Sequence, residues 1–320
     1  MMTRVETLTA RAQVLRAIRA WFEARAFVEI EAPVAVPSPG LEPHLLAFEL
    51  RTEGARRYLH TSPEYALKRL LGEGFERLFS LAPCFRDEPP SRTHSPEFTM
   101  LEWYEVGLDL PGLMDQTEAL VAAACAAVHG SARAPHLDLS PPFRRLTVRE
   151  AFVQCAGVDP WRHTTAASLR DAGRAAGVAV PTHSDDWDDV FFQIFLNAVE
   201  PALAEGPPTF VWGWPASQAA LSRLDPNDPT VALRFELFAG GIELANAFDE
   251  LTDPAEQRAR FEQDQAHRRA LGLPVPPIDE ALLAALARMR PTAGIALGID
   301  RLMMLILGID DIADVRAQPW

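Results

Sequence analysis

The sequence predicts an α+β fold in which an antiparallel sheet is flanked by helices and interrupted by a mostly helical insertion. Strand-like runs cluster away from the helices instead of alternating with them, which argues against βαβ units. A short Gly240-Gly241 connection reads as a hairpin turn. No Gly-x-Gly-x-x-Gly or P-loop lysine motif is present, so a nucleotide, if bound, is not held in those ways.

In chain order, Leu8, Ala12, Leu15, Ile18 and Phe22 recur at three- and four-residue steps and predict an amphipathic helix over 8–26. Val28-Glu29-Ile30-Glu31 alternates like a strand that Pro33 ends, and 45–50 is a second strand. Ser62-Pro63-Glu64 opens a helix by capping, a first-turn proline and an acid at the positive end; Gly72 or Gly74 closes it. Strands over 75–86 and 97–106 enclose an exposed loop, DEPPSRTHSP. An alanine-rich helix follows over about 110–129. Residues 130–208 form the helical insertion, with its clearest helix over 185–203. Strands return at 209–214, 234–238 and 241–248. A charged helix starts at Asp253-Pro254, a proline loop covers 274–277, and a further helix follows. A glycine-punctuated strand over 294–298 precedes a final apolar helix over about 300–307.

Composition narrows the function. A chain of 320 residues, 48% hydrophobic, builds one large domain or one domain with an insertion. Its formal charge of −14 argues against nucleic-acid binding, which needs basic patches. No apolar run reaches transmembrane length, and the N-terminus lacks a secretory core, so a cytoplasmic protein is expected. Cys84, Cys125 and Cys155 are odd in number and widely spaced, which fits a reducing compartment and no zinc site.

Three clusters offer chemistry. In residues 85–104, Phe98, Met100, Glu102 and Tyr104 share one strand face, and Arg86 shares a face with Glu88. A ring stacks on a base, an arginine grips a phosphate or carboxylate, and a glutamate beside a tyrosine hydroxyl suits an ammonium. In residues 234–251, an Ala239-Gly240 loop would set Glu236 directly opposite Glu243, a repulsion that a divalent cation relieves. Asn246, Phe248 and Glu250 share a face of opposite parity to Glu243, so a common site needs a bulge. In residues 294–307, Gly294 and Gly298 allow close approach of a ligand, and Arg301 opens a helix where an anion is favoured. By spacing alone, each cluster is equally a solvated or ordinary structural face.

In this order the clusters resemble the signature motifs of class II aminoacyl-tRNA synthetases. WFEARAFVEIEAP (21–33) resembles motif 1, which implies a homodimer interface around Pro33; 85–104 resembles motif 2 and 294–304 motif 3. TSPEYALKRLL, PEFTMLEWY, GIELANAFDELTD and GIALGIDR are similar to the lysyl-tRNA synthetase subgroup. Nearly the whole chain outside parts of 130–208 is covered. Motif 1 begins by about residue 21, which leaves no room for an anticodon-binding domain. A single catalytic domain over 1–320 of this kind resembles the elongation factor P (R)-β-lysine ligases. Ala296, where the tRNA enzymes carry glycine, and Ser62, where they carry alanine, fit that group.

The resemblance implies an ATP- and Mg²⁺-dependent ligase that adenylates (R)-β-lysine and passes it to a lysine of elongation factor P. Arg86 and Arg301 would be catalytic, on the α- and γ-phosphates. ATP would also meet Asp87, Glu88, Ser95, Phe98, Glu243, Leu244 and Gly298, with Glu88 on adenine and Phe98 stacked on it. The amino acid would meet Ser62, Pro63, Glu64, Glu102, Tyr104, Asn246, Glu250 and Ala296. Glu236 and Glu243 would hold Mg²⁺. Asp87, Ser95 and Ala247 depart from the family's Asn, Asn and Gly, and Pro89-Pro90 stiffens the motif 2 loop. Alternatives are the same chemistry with tRNA, against which the acidic charge argues, or with a small-molecule acceptor, and an inactive binding paralogue. Retention of Arg86, Glu88, Glu243 and Arg301 argues against the latter.

Overall fold

A computed structural model describes residues 2–43, 45–51, 53–128, 137–180 and 185–320. The expected helix end at 129, and residues 130–136 and 181–184 of the expected insertion, lie outside them. The elements are α1 (Arg4–Glu23), β1 (Val28–Glu29), β2 (Ala35–Val36), β3 (Glu49–Leu50), β4 (Arg57–Leu59), α2 (Glu64–Gly72), β5 (Arg77–Phe85), β6 (Glu97–Val106) and α3 (Leu110–Ala126). There follow β7 (Arg144–Thr147), α4 (Val148–Ala156), α5 (Ala166–Ala175), α6 (Trp187–Ile194), α7 (Glu200–Ala204), β8 (Thr209–Pro215), β9 (Val231–Ala239) and β10 (Ile242–Asp249). The chain ends with α8 (Pro254–Ala270), α9 (Glu280–Leu286), β11 (Thr292–Gly298) and α10 (Ile299–Leu307).

The chain divides into two compact units: Met1–His136 with Ala247–Trp320, and Leu137–Asn246. The second unit reaches past the helical stretch expected at 130–208 and takes in β8, β9 and the first part of β10.

In the first unit the sheet runs β1-β5-β6-β11, with the end of β10 beside β11. The β5–β6 and β6–β11 pairs are antiparallel, whereas the β1–β5 edge is parallel. A separate small antiparallel sheet runs β2-β4-β3. Helix α1 starts four residues before the expected position because Thr3 and Glu6 form a reciprocal capping box. Its buried Val14, Ile18 and Phe22 face the sheet, and the Phe22 ring stacks on Phe79 at 4.4 Å. Asp300 anchors α10: it is 2% exposed, accepts the Thr99 amide at 2.6 Å and pairs with Arg11 at 2.7 Å.

In the second unit β8 and β9 are antiparallel, and the four-residue β7 lies parallel to β8, a strand not foreseen within the insertion. An irregularity between Trp212 and Trp214 carries Gly213 at φ +74°. The core of this unit centres on Phe152 of α4, Phe191 of α6, Phe195 just after α6 and Trp214 of β8.

Candidate active site

The strand register builds one face of the first unit. Opposite Glu102 stand Ser80 on β5 and Ala296 on β11; opposite Tyr104 stand Leu78 and Gly294; opposite Met100 stand Ala82 and Gly298. The predicted even-numbered face of β6 therefore meets Gly294, Ala296 and Gly298. Helix α2 brings its own start to this face. The Ser62 hydroxyl accepts the Glu64 amide at 3.0 Å and donates to Glu102 Oε2 at 2.6 Å. The Tyr104 hydroxyl donates to Glu102 Oε1 at 2.6 Å.

Glu250 follows β10, where its amide donates to the Thr292 carbonyl at 2.9 Å. Glu64, Glu102, Tyr104 and Glu250 thus converge, as expected for an amine site. Glu102 and Glu250 are each 1% exposed. Burial pushes Glu102 up to about 8, reinforced by the charge of Glu64 and opposed by Ser62 and Tyr104. Burial likewise pushes Glu250 up to about 8, against the pull of Lys68. Tyr104 is raised by burial and by the surrounding carboxylates.

Lys68 is the group sequence reading missed. It is buried, and its ammonium lies 2.5 Å from Glu64 and 2.6 Å from Glu250. Its spacing of four from Glu64 was the available signal.

Gly294 has a different reason from the one expected. A Cβ there would stand 2.2 Å from Tyr104 Cε1 and 2.5 Å from Glu250 Oε1. The glycine leaves room for the side chains of the pocket. At Gly298 a Cβ would meet only Arg301, at an ordinary 3.5 Å.

Motif 2 residues lie on the same unit. The Arg86 guanidinium sits 5.0 Å over the Phe98 ring, and its Nε is buried without a hydrogen-bond partner. Asp87 is exposed, its amide donating to the Leu46 carbonyl at 2.8 Å, and the Glu88 amide donates to the Arg86 carbonyl at 2.9 Å. Ser95 is 5% exposed and its hydroxyl has no partner. Arg301 donates to the Thr93 carbonyl at 3.2 Å and lies 2.9 Å from His94 Nε2, so the motif 2 loop reaches the start of α10.

The second unit carries the other predicted acids. The hairpin turn is Gly240-Gly241, not Ala239-Gly240: both glycines have positive φ, +57° and +76°, as a two-residue turn of this hand requires. Ala239 ends β9 and Ile242 begins β10, so the Ala239-Gly240 loop that would set Glu236 directly opposite Glu243 does not form. The two still interact, because the charge of Glu243 adds to burial in raising Glu236 to about 8, against Arg234.

Arg234, also missed, hydrogen-bonds Glu236, reaches Asn246 Oδ1 at 3.2 Å and the Gln218 carbonyl at 2.9 Å, and lies 4.7 Å over Trp214. Counting from the turn would set Asn246 on the face away from Arg234. Their contact requires the alternation to break between the turn and Asn246, as a bulge does. Leu244 is buried at 2%. Among the described residues no three His, Cys, Asp or Glu gather as a metal cage.

The family model of the class II tRNA synthetases (D, K and N) matches residues 3–320. The elongation factor P–(R)-beta-lysine ligase of Vibrio cholerae serotype O1 is 40% identical over 324 residues, which cover 99% of this chain and 96% of that protein. The enzyme of the same name from Salmonella typhi is 40% identical over 321 residues, 98% of this chain and 94% of that protein. This chain belongs to the class II tRNA synthetase family (D, K and N), and within it to the group of the elongation factor P–(R)-beta-lysine ligases.

Proposed function

We propose that this chain activates (R)-β-lysine with ATP and transfers it to a lysine side chain of elongation factor P. The observation that carries the reading is the amine pocket: three carboxylates, Glu64, Glu102 and Glu250, converge beside Tyr104, with Ala296 directly opposite Glu102. Such a pocket suits a small molecule with two ammonium groups, and the names of the relatives supply the acceptor.

In the first step a carboxylate oxygen of the amino acid attacks the α-phosphorus of ATP. A P–O bond forms, the bond to the β-phosphate breaks and pyrophosphate leaves. In the second step the acceptor amine attacks the carbonyl carbon of the mixed anhydride, AMP leaves, and the amine loses a proton. No covalent enzyme intermediate is needed. Arg86, held over Phe98, stabilises charge growing on the phosphorus oxygens. Arg301 takes the γ-phosphate, exchanging its His94 contact for it. Glu64, Glu102, Tyr104 and Glu250 orient the amines, so catalysis is positioning plus electrostatics.

Glu236 and Glu243 fit a divalent cation, since the charge of Glu243 adds to the cost of ionising buried Glu236 and two carboxylates plus phosphates satisfy Mg²⁺. Bound Mg²⁺ would screen phosphate charge. No helix among the described residues is long and apolar enough to cross a membrane. We read the protein as a cytoplasmic homodimer.

The test is intact-mass measurement of unmodified elongation factor P after incubation with the protein, ATP, Mg²⁺ and (R)-β-lysine. One β-lysyl addition, lost with Arg86→Ala, is expected. No addition while ATP–pyrophosphate exchange persists would overturn the acceptor and leave tRNA to be tried.

A further inference from the structure

The amine pocket contains a cation of its own. Lys68 lies one turn beyond Glu64 on α2, and its side chain is 2% exposed. A lysine is buried to this degree only when paired. Its ammonium bridges Glu64 Oε1 and Glu250 Oε2 at 2.5 and 2.6 Å. Burial works against its charge, but Glu250 and Glu64 together hold the ammonium above the usual lysine range.

The other groups facing this pair are Glu102 and Tyr104 from β6. Further out, on the loop before β3, Glu42 is pushed up by burial and by the charge of Glu64, is pulled down by Arg86, and in turn acts on Tyr65. Glu250 Oε1 is buried and has no hydrogen-bond partner, which leaves it open to a donor from a ligand. Three carboxylates and one ammonium leave two negative charges, the number that two substrate ammonium groups neutralise.

We infer that Lys68 is a positioning residue for the amino acid: it bridges Glu64 and Glu250, holds the two carboxylates in place, and leaves the pocket two negative charges for a diamino acid. The inference rests on the amino-acid reading above. It does not require Lys68 to touch the substrate, since it acts through the two glutamates. Burial alone drives Glu250 toward the protonated form, which cannot pair with an ammonium. Lys68 opposes that drive by charge and by its hydrogen bond.

The test is ATP–pyrophosphate exchange by Lys68→Met and Lys68→Arg between pH 6 and 9, using whichever lysine isomer the unsubstituted enzyme activates. Failure of the β-lysine assignment then appears in the unsubstituted enzyme, and failure of this inference in the variants. Lys68→Met is expected to lower kcat/KM for the amino acid about 10- to 100-fold at pH 7, the range of a lost charged hydrogen bond. Its acid limb should move up by about one pH unit or more, with KM for ATP unchanged. Lys68→Arg, which keeps the charge, should keep the limb. An unmoved limb in Lys68→Met, or a parallel rise in KM for ATP, would overturn the inference.

Should Lys68→Met not fold, calorimetry on the unsubstituted enzyme in buffers of different ionisation enthalpy replaces it. Near pH 7 a diamino acid should release about one proton more than an analogue lacking one amine. Equal release would refute the charge count.

Discussion

Two clusters of buried carboxylates each hold an internal cation, and they differ in how firmly that cation is fixed. In the first unit Lys68 balances Glu64 and Glu250, while Glu102 receives only neutral donors, Ser62 and Tyr104. In the second unit Arg234 serves Glu236, and its planar fork is further tied to Asn246, to the Gln218 carbonyl and to the Trp214 ring. An arginine held on so many sides is part of the scaffold; a lysine is a compact charge on a flexible stem. The charge left over differs too: two negative charges in the first cluster and one in the second. Burial pushes Glu102, Glu250 and Glu236 all to about 8. Both clusters are therefore costly to ionise without a positive ligand, but they ask for different ones.

The comparison breaks most easily at Arg234. Arg234→Met removes the cation and leaves Glu236 against Glu243, and it frees Asn246 and the Gln218 carbonyl. Loss of one partner from a buried ion pair costs about 3 kcal/mol or more. A urea melt should show this loss, while KM for the amino acid rises only modestly, since Asn246 alone of the expected amino-acid contacts is loosened. A large rise in that KM without loss of stability would make Arg234 a site residue and erase the distinction.

Gly294 sharpens the other side. Its φ lies outside the left-handed region, so alanine is excluded there by space alone. The added methyl would displace Tyr104 and Glu250, both buried, and break the Tyr104–Glu102 hydrogen bond. Overpacking of this kind costs about 1–3 kcal/mol, so kcat/KM for the amino acid should fall about 10- to 100-fold. KM for ATP should be unaffected in pyrophosphate exchange. Unchanged amino-acid kinetics would mean that the pocket face tolerates outward movement of Tyr104, and that the glycine serves folding only.

These features were unevenly legible in the sequence. Strand β6 was read with its true bounds, 97–106, because a polar loop and Gly107 delimit a long alternating run. The start of α2 was legible from Ser62-Pro63-Glu64, since cap chemistry is local. Strand β7 was not: four residues, Arg-Arg-Leu-Thr, carry no alternation, and their partner β8 lies some sixty residues on. The turn between β9 and β10 hinged on which two of Ala239, Gly240 and Gly241 form it, a choice the φ angles decide. Lys68 and Arg234 were missed because a helical lysine four from a glutamate reads as a surface pair, and alternation does not reveal which strand arginine is covered. Burial is a property of the assembled fold, and it turns an ordinary ion pair into one that a pocket depends on.

A pH dependence separates the clusters without mutation. Glu102 and Glu250 have folded-state values near 8, above the ordinary 4.5. The folded, empty protein keeps protons that the unfolded chain releases above about 4.5. Stability contributed here is thus greatest below 4.5 and is lost as pH rises toward 8. Glu236 acts in the same direction. A diamino acid needs the ionised carboxylates of the first cluster, so kcat/KM for it should rise from pH 6 to 8 and level off above. Displacing one proton corresponds to about tenfold per pH unit well below the folded value. In thermal melts at pH 8, the amino acid should recover the share lost at Glu102 and Glu250, and Mg²⁺ with ATP the share lost at Glu236. If either ligand alone recovers the whole loss, the clusters titrate as one site and the distinction between them fails.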